Sequence, residues 1–174
     1  MSTATPAVTR LALLATLAAT GVAIAVFVTE RSDTALAPSF VAPFLWPFSS
    51  LFLVRVLGQV LVRLRGPTWL PPTEEWNLSP YRLLLPAQMA ILAVLSWIDI
   101  AFSLGRGSPV HPHPRLGDAV LVFAYVYAAV MAVRYVIRMA RQPSARWFGG
   151  TIPIVFHFVL AAYLYVFGSF HASY

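Results

Sequence analysis

The chain has 174 residues, of which 59% are hydrophobic and only 10% charged. A soluble domain carries about 25% charged residues, so this composition speaks against a water-soluble enzyme and for a membrane protein. Twelve arginines and no lysine stand against six acids, a net charge of +6; the arginines sit at the ends of apolar runs and not on one soluble face, which argues against nucleic acid as a partner, and the lack of cysteine excludes disulfides, thiolate metal sites and cysteine nucleophiles.

The first predicted helix spans about residues 8–28, where Arg10 precedes an uncharged run from Leu11 to Val28. That run exceeds the 7–15 residues or so of a signal-peptide core, and the A-x-A-like Ala35-Leu36-Ala37 is followed at once by Pro38, so the segment reads as a membrane span. Thr16, Ala19, Thr20 and Ala23 give it a small-residue face suited to close packing.

Residues 40–64 form a second apolar segment, interrupted by Pro43 and Pro47. A proline inside a helix removes one backbone hydrogen bond and bends the helix. A disturbance is therefore expected between Pro43 and Ser50, with Ser49 or Ser50 capping a cleaner helix from Leu51 onward. Arg55, Gln59 and Arg63 recur at helical spacing on one face. The segment is either a kinked span with a polar stripe turned inward or an amphipathic helix at the interface.

A polar connection with Gly66-Pro67, Pro71-Pro72, Trp69 and Trp76 follows. Ser79-Pro80 then starts the third span, 80–102, with serine as cap and proline in the first turn. The loop from Gly105 carries His111-Pro112-His113-Pro114, which favours an extended path. The fourth span is 116–139, with Asp118 expected in its first turn. A short arginine-rich turn leads to the fifth, 151–170, which has no charge. Each run is about the 20 residues needed to cross a bilayer core.

The fold class expected is therefore an all-α integral membrane protein, one domain over residues 1–174. It is a small bundle of five transmembrane helices, or four if 40–64 lies at the interface. With five spans, seven arginines outside the membrane fall on one side (10, 63, 65, 82, 138, 141 and 146) and three on the other (31, 106 and 115). By the positive-inside rule the N-terminus is cytoplasmic and the C-terminus periplasmic in a bacterial inner membrane.

Few residues can carry chemistry. His157 lies about six residues into an uncharged span, and an intramembrane ionisable group is a functional candidate. Its neutral imidazole can ligate haem iron or the magnesium of a (bacterio)chlorophyll, or simply hydrogen-bond a neighbouring helix. His171 follows fourteen residues later on nearly the same face. That spacing resembles the one on helices of two-haem b-type cytochromes, and the resemblance covers one helix and two residues. His111, His113 and His171, with Asp99 or Asp118, are a weaker metal candidate; an exposed stiff loop is the plainer reading. Asp99 sits one turn inside the third span, where Arg106 or Arg115 would neutralise it. Arg55 is the other intramembrane polar group and needs a partner if its segment spans. Arg134, Arg138 and Arg141 share one face of the fourth helix and suit anionic lipids or a partner chain.

No phosphate loop, HExxH or GxSxG motif is present, and no catalytic residue is assigned. The function expected is a non-catalytic accessory or structural subunit of a larger inner-membrane complex, respiratory or photosynthetic by analogy, with other integral membrane subunits as partners. The alternatives are a redox or pigment-binding subunit using His157, and a small transporter or channel using Arg55 and Asp99.

Overall fold

The computed structural model of the chain describes residues 7–31, 36–66, 70, 84–141 and 151–174. The described residues contain no strand. They form five long helices: α1 (Ala7–Glu30), α2 (Pro38–Arg65), α3 (Leu84–Ser103), α4 (Pro114–Arg141) and α5 (Ile152–Ala172), with a single 3-10 turn at Gly105–Gly107. Each of the five is long and apolar enough to cross a membrane. The expected all-α membrane bundle is thus the observed fold class.

α2 and α5 form the centre. They pack on each other, α3 lies against α2, α4 lies against α5, and α1 touches both central helices. The interfacial alternative for residues 40–64 is set aside, because α2 is inserted between α3 and α5 and buries a stripe from Val41 to Val62.

The prolines of α2 do not break it. The expected disturbance at Pro43–Ser50 is absent from the helix assignment, which continues from Pro38 to Arg65. Both ring-bearing positions face outward. Meanwhile Val41, Ala42, Leu45, Phe48, Phe52 and Val56 keep one buried stripe in helical register across them. Packing of that stripe offsets the two lost donors, a tertiary effect that overrides the local one. Ser49 is consequently no cap; it is a mid-helix residue buried in the bundle. α2 ends as its sequence suggests, with Gly66 in the left-handed conformation (φ 51°) donating its N–H to the Val62 carbonyl, a common helix stop.

α1 is attached more lightly. Thr9, Leu13, Thr16, Thr20 and Phe27 are its buried residues. The predicted small-residue face is rotated: Thr16 and Thr20 point inward, Ala23 is half-buried and Ala19 is exposed. Thr16 and Thr20 donate their hydroxyls to the carbonyls of Ala12 and Thr16, both at 2.8 Å, so their polar atoms are satisfied within the helix. Phe27 supplies the bulk, meeting Phe44 edge-on at 5.2 Å and Tyr165 at 6.1 Å.

The start of the third span at Ser79-Pro80 lies outside the described residues. α4 begins at Pro114, two residues earlier than expected, which moves Asp118 out of the first turn. α4 touches the bundle along one seam, with Gly117, Ala124 and Met131 buried at intervals of seven. α5 is the opposite case, buried over most of its circumference. Its end is fixed, not frayed. Ser173 Oγ accepts from the Leu36 N–H at 3.1 Å, and the Tyr174 hydroxyl donates to the Leu36 carbonyl at 3.0 Å.

Candidate functional site

Two polar clusters lie inside the bundle. The first centres on Asp99, which is fully buried. It projects from the face of α3 that also carries Gln88, Leu95 and Phe102. The Tyr163 hydroxyl of α5 donates to Asp99 Oδ1 at 3.0 Å and approaches the Leu95 carbonyl at 3.3 Å. The Ser49 hydroxyl of α2 faces the same carboxyl group. Asp99 Oδ2 is enclosed and accepts no hydrogen bond. The arginine neutralisation expected from Arg106 or Arg115 is not what the carboxyl finds; hydroxyl groups from two neighbouring helices surround it instead. Nearby, Trp46 donates its indole N–H to Ser103 Oγ at 2.9 Å, and Ser103 donates to the Asp99 backbone carbonyl at 2.7 Å. Three helices are therefore tied together around one carboxylic acid.

The second cluster is on the arginine-rich side. Arg55 is buried, with its guanidinium 5.6 Å from the Phe156 ring centroid and 5.9 Å from that of Phe52. Ring faces attract a cation, so these two rings partly replace the hydration the group has lost. Its Nε makes no hydrogen bond. The Arg55 charge also reaches Tyr127 and His157. Of the predicted polar stripe, Arg55 and Gln59 turn inward and Arg63 turns out.

His157 is half-buried and stacks on Tyr127 of α4, with centroids 5.6 Å apart and planes at 22°. Its Nδ1 is enclosed beside the Pro153 carbonyl one turn earlier. The stack on Tyr127 orients the ring. Two apolar cavities border α5, one at Ile154 and Phe158 and one at Phe158, Ala161 and Tyr165.

The histidines of the proline loop part company. His113 stacks on His171 at 6.3 Å and donates its backbone N–H to His171 Nδ1 at 3.2 Å. His171 is buried and ringed by Phe102, Phe167 and Phe170. His111 is exposed. Among the described residues no three His, Cys, Asp or Glu side chains come close enough to share a metal ion. The contact locks the loop to the end of α5. Arg134 and Arg141 are exposed on α4 and Arg138 is half-buried.

Tyr163 is the residue that sequence reasoning missed. It reads as a packing aromatic, and only its position opposite Asp99, 64 residues away, makes it a hydrogen-bond donor. The requirement that a buried carboxyl find a donor was legible; which residue supplies it was not.

The architecture defines a multi-pass membrane bundle. Compared with known proteins, the chain matches no family model, no curated protein and no solved structure.

Proposed function

We propose that the chain is a non-catalytic accessory subunit that assembles with other integral membrane proteins in a bacterial inner membrane. One observation carries this reading. α4 packs mainly on α5, burying only Gly117, Ala124 and Met131 of its 28 residues. Its outward face carries large β-branched and aromatic side chains: Val122, Phe123, Val126, Val130 and Val133 are all exposed. The interior polar groups fit the same view: Asp99, Arg55 and His157 are turned onto partners within the bundle. A haem or chlorophyll held by His157 is the alternative. Respiratory and photosynthetic assemblies are the nearest analogy for such a subunit.

The orientation proposed is a cytoplasmic turn around Arg141–Arg146 and an external Tyr174, from the arginine count. Photocrosslinking in intact cells tests both claims. A crosslinker at Val126 or Val130 is expected to give a discrete protein adduct, whereas one at Val22 of α1 gives lipid adducts only. A membrane-impermeant label is expected to reach a cysteine placed at Tyr174 and not one at Gln142. Lipid adducts alone from α4 would remove the subunit reading.

Asp99 favours a second reading, a small transporter or channel. A carboxyl with one oxygen unbonded inside a membrane is costly to keep, and proton or cation binding would satisfy it. In proteoliposomes, Asp99→Asn would then abolish a proton or cation flux shown by the wild type. Equal fluxes in the two would reduce Asp99 to a structural tie.

A further inference from the structure

Between α1 and α4 runs a cleft that neither helix closes. Both pack on α5, so α5 forms its floor. The cavity nearer the arginine-rich end has a volume of about 400 Å³ and is bounded by Leu13, Leu14 and Leu17 of α1, Tyr135 of α4, and Ile154 and Phe158 of α5. A second cavity of about 310 Å³ continues toward the other end of α1, and Phe158 is the wall between them.

Arginines flank the first cavity along the two helices that wall it. Arg10 lies on the α1 face of Leu14 and Leu17, at i−4 and i−7, and Arg138 follows Tyr135 by three residues on α4. α5 has no acid at all, and the acids of α1 and α4, Glu30 and Asp118, stand at the opposite ends of those helices. The apolar slot therefore has Arg10 and Arg138 about one turn beyond its lining residues on α1 and α4.

We propose that this cavity binds one acyl chain of an anionic glycerophospholipid, with the phosphate held by Arg10 and Arg138. The site is independent of the subunit reading. Size selects the occupant. A single turn of a partner helix, about 10–12 Å across and 5.4 Å tall, fills roughly 500 Å³, more than the cavity of about 400 Å³ encloses. An apolar cavity of about 150 Å³ accommodates a six-carbon ring; on that scale the cavity takes roughly sixteen carbons, one fatty-acyl chain. Charge selects the headgroup. Arginine recognises phosphate by paired hydrogen bonds, and each basic residue near a surface contributes about 1 kcal/mol to binding of anionic lipid.

Native mass spectrometry of the full-length chain in mild detergent tests the site. The protein is offered equal amounts of phosphatidylglycerol and phosphatidylcholine with identical chains. One phosphatidylglycerol per protein is expected to survive, in preference to phosphatidylcholine. Arg10→Gln and Arg138→Gln should each lower that preference about fivefold. Leu17→Trp fills the slot from a partly exposed position and should abolish retention of both lipids while helix content stays unchanged. Should that variant fail to fold, Leu14→Phe serves the same purpose. Equal retention of the two lipids by the wild type, or undiminished binding after the slot is filled, overturns the proposal. So does a tightly held isoprenoid in place of phospholipid.

Discussion

Gly117→Val is expected to be the most damaging single change in the chain. At Gly117 the backbones of α4 and α5 nearly touch. A Cβ added there would fall 2.6 Å from the His171 carbonyl carbon, 2.8 Å from Ala172 Cα, and closer still to the Ala172 nitrogen. These are backbone atoms, so no rotamer change relieves the clash. Small residues at helix contacts are the usual route to close packing where lipid removes the hydrophobic drive for association. α4 has only two other buried positions, and α5 at this point also carries His171 and the tie to the proline loop. The expected loss is about 3 kcal/mol or more, read as the shift in the unfolding midpoint during titration with sodium dodecyl sulfate. Gly168→Ala is the internal comparison. Its added Cβ meets the Leu121 side chain at 3.1 Å and the Leu121 nitrogen at 3.2 Å, a milder crowding that should cost about 1 kcal/mol. An unchanged midpoint for Gly117→Val would mean that α4 does not dock on α5 as described.

Phe27→Ala is expected to have the next largest effect, through the attachment of α1. Phe27 is fully buried and is the only large aromatic that α1 contributes to the core. Its ring contacts Phe40, Phe44 and Tyr165, joining α1 to both central helices. Tyr165 in turn accepts a hydrogen bond from Arg31 at 3.2 Å. In soluble cores, Phe→Ala costs 3–5 kcal/mol or so. Within a bilayer the exposed alternative is also apolar, so the loss is one of dispersion contacts and a cavity; about 3 kcal/mol is expected. Because the chain has no cysteine of its own, engineered disulfide pairs between α1 and α2 report the docking without background. Phe27→Ala should slow their formation at least tenfold. Unaltered crosslinking would show that α1 is held by something other than this aromatic cluster.

Much of the fold was legible in the sequence because bilayer thickness imposes a length that composition alone reveals. The first and fifth spans were placed at 8–28 and 151–170, and the helices run Ala7–Glu30 and Ile152–Ala172. The course of α2 was not legible. Local rules treat Pro43 and Pro47 as breakers, whereas the buried stripe through Leu45 and Phe48 depends on what α3 and α5 present to it. The inward turn of Arg55 and Gln59 followed from helical spacing, but the cushions of Arg55, Phe52 and Phe156, did not, since Phe156 comes from a helix about 100 residues away. Asp99 was recognised as intramembrane, yet its partners were misassigned. Charge complementarity suggested arginine; geometry supplied Tyr163. The contact at His171 was not legible either, since the loop that stacks on it lies 58 residues earlier.

The subunit reading is tested most directly by the mass of the particle in which the chain leaves its native membrane. The tagged chain, expressed at its natural level and extracted in a mild detergent, is sized by mass photometry or native electrophoresis, with its constituents counted by mass spectrometry. A particle well above the 19.1 kDa of the chain is predicted, containing at least one other integral membrane protein in fixed ratio. Val126→Arg and Val130→Arg on the open face of α4 should release the chain from that particle. A stable single chain, or an oligomer of this chain alone that is indifferent to charge on α4, would contradict it.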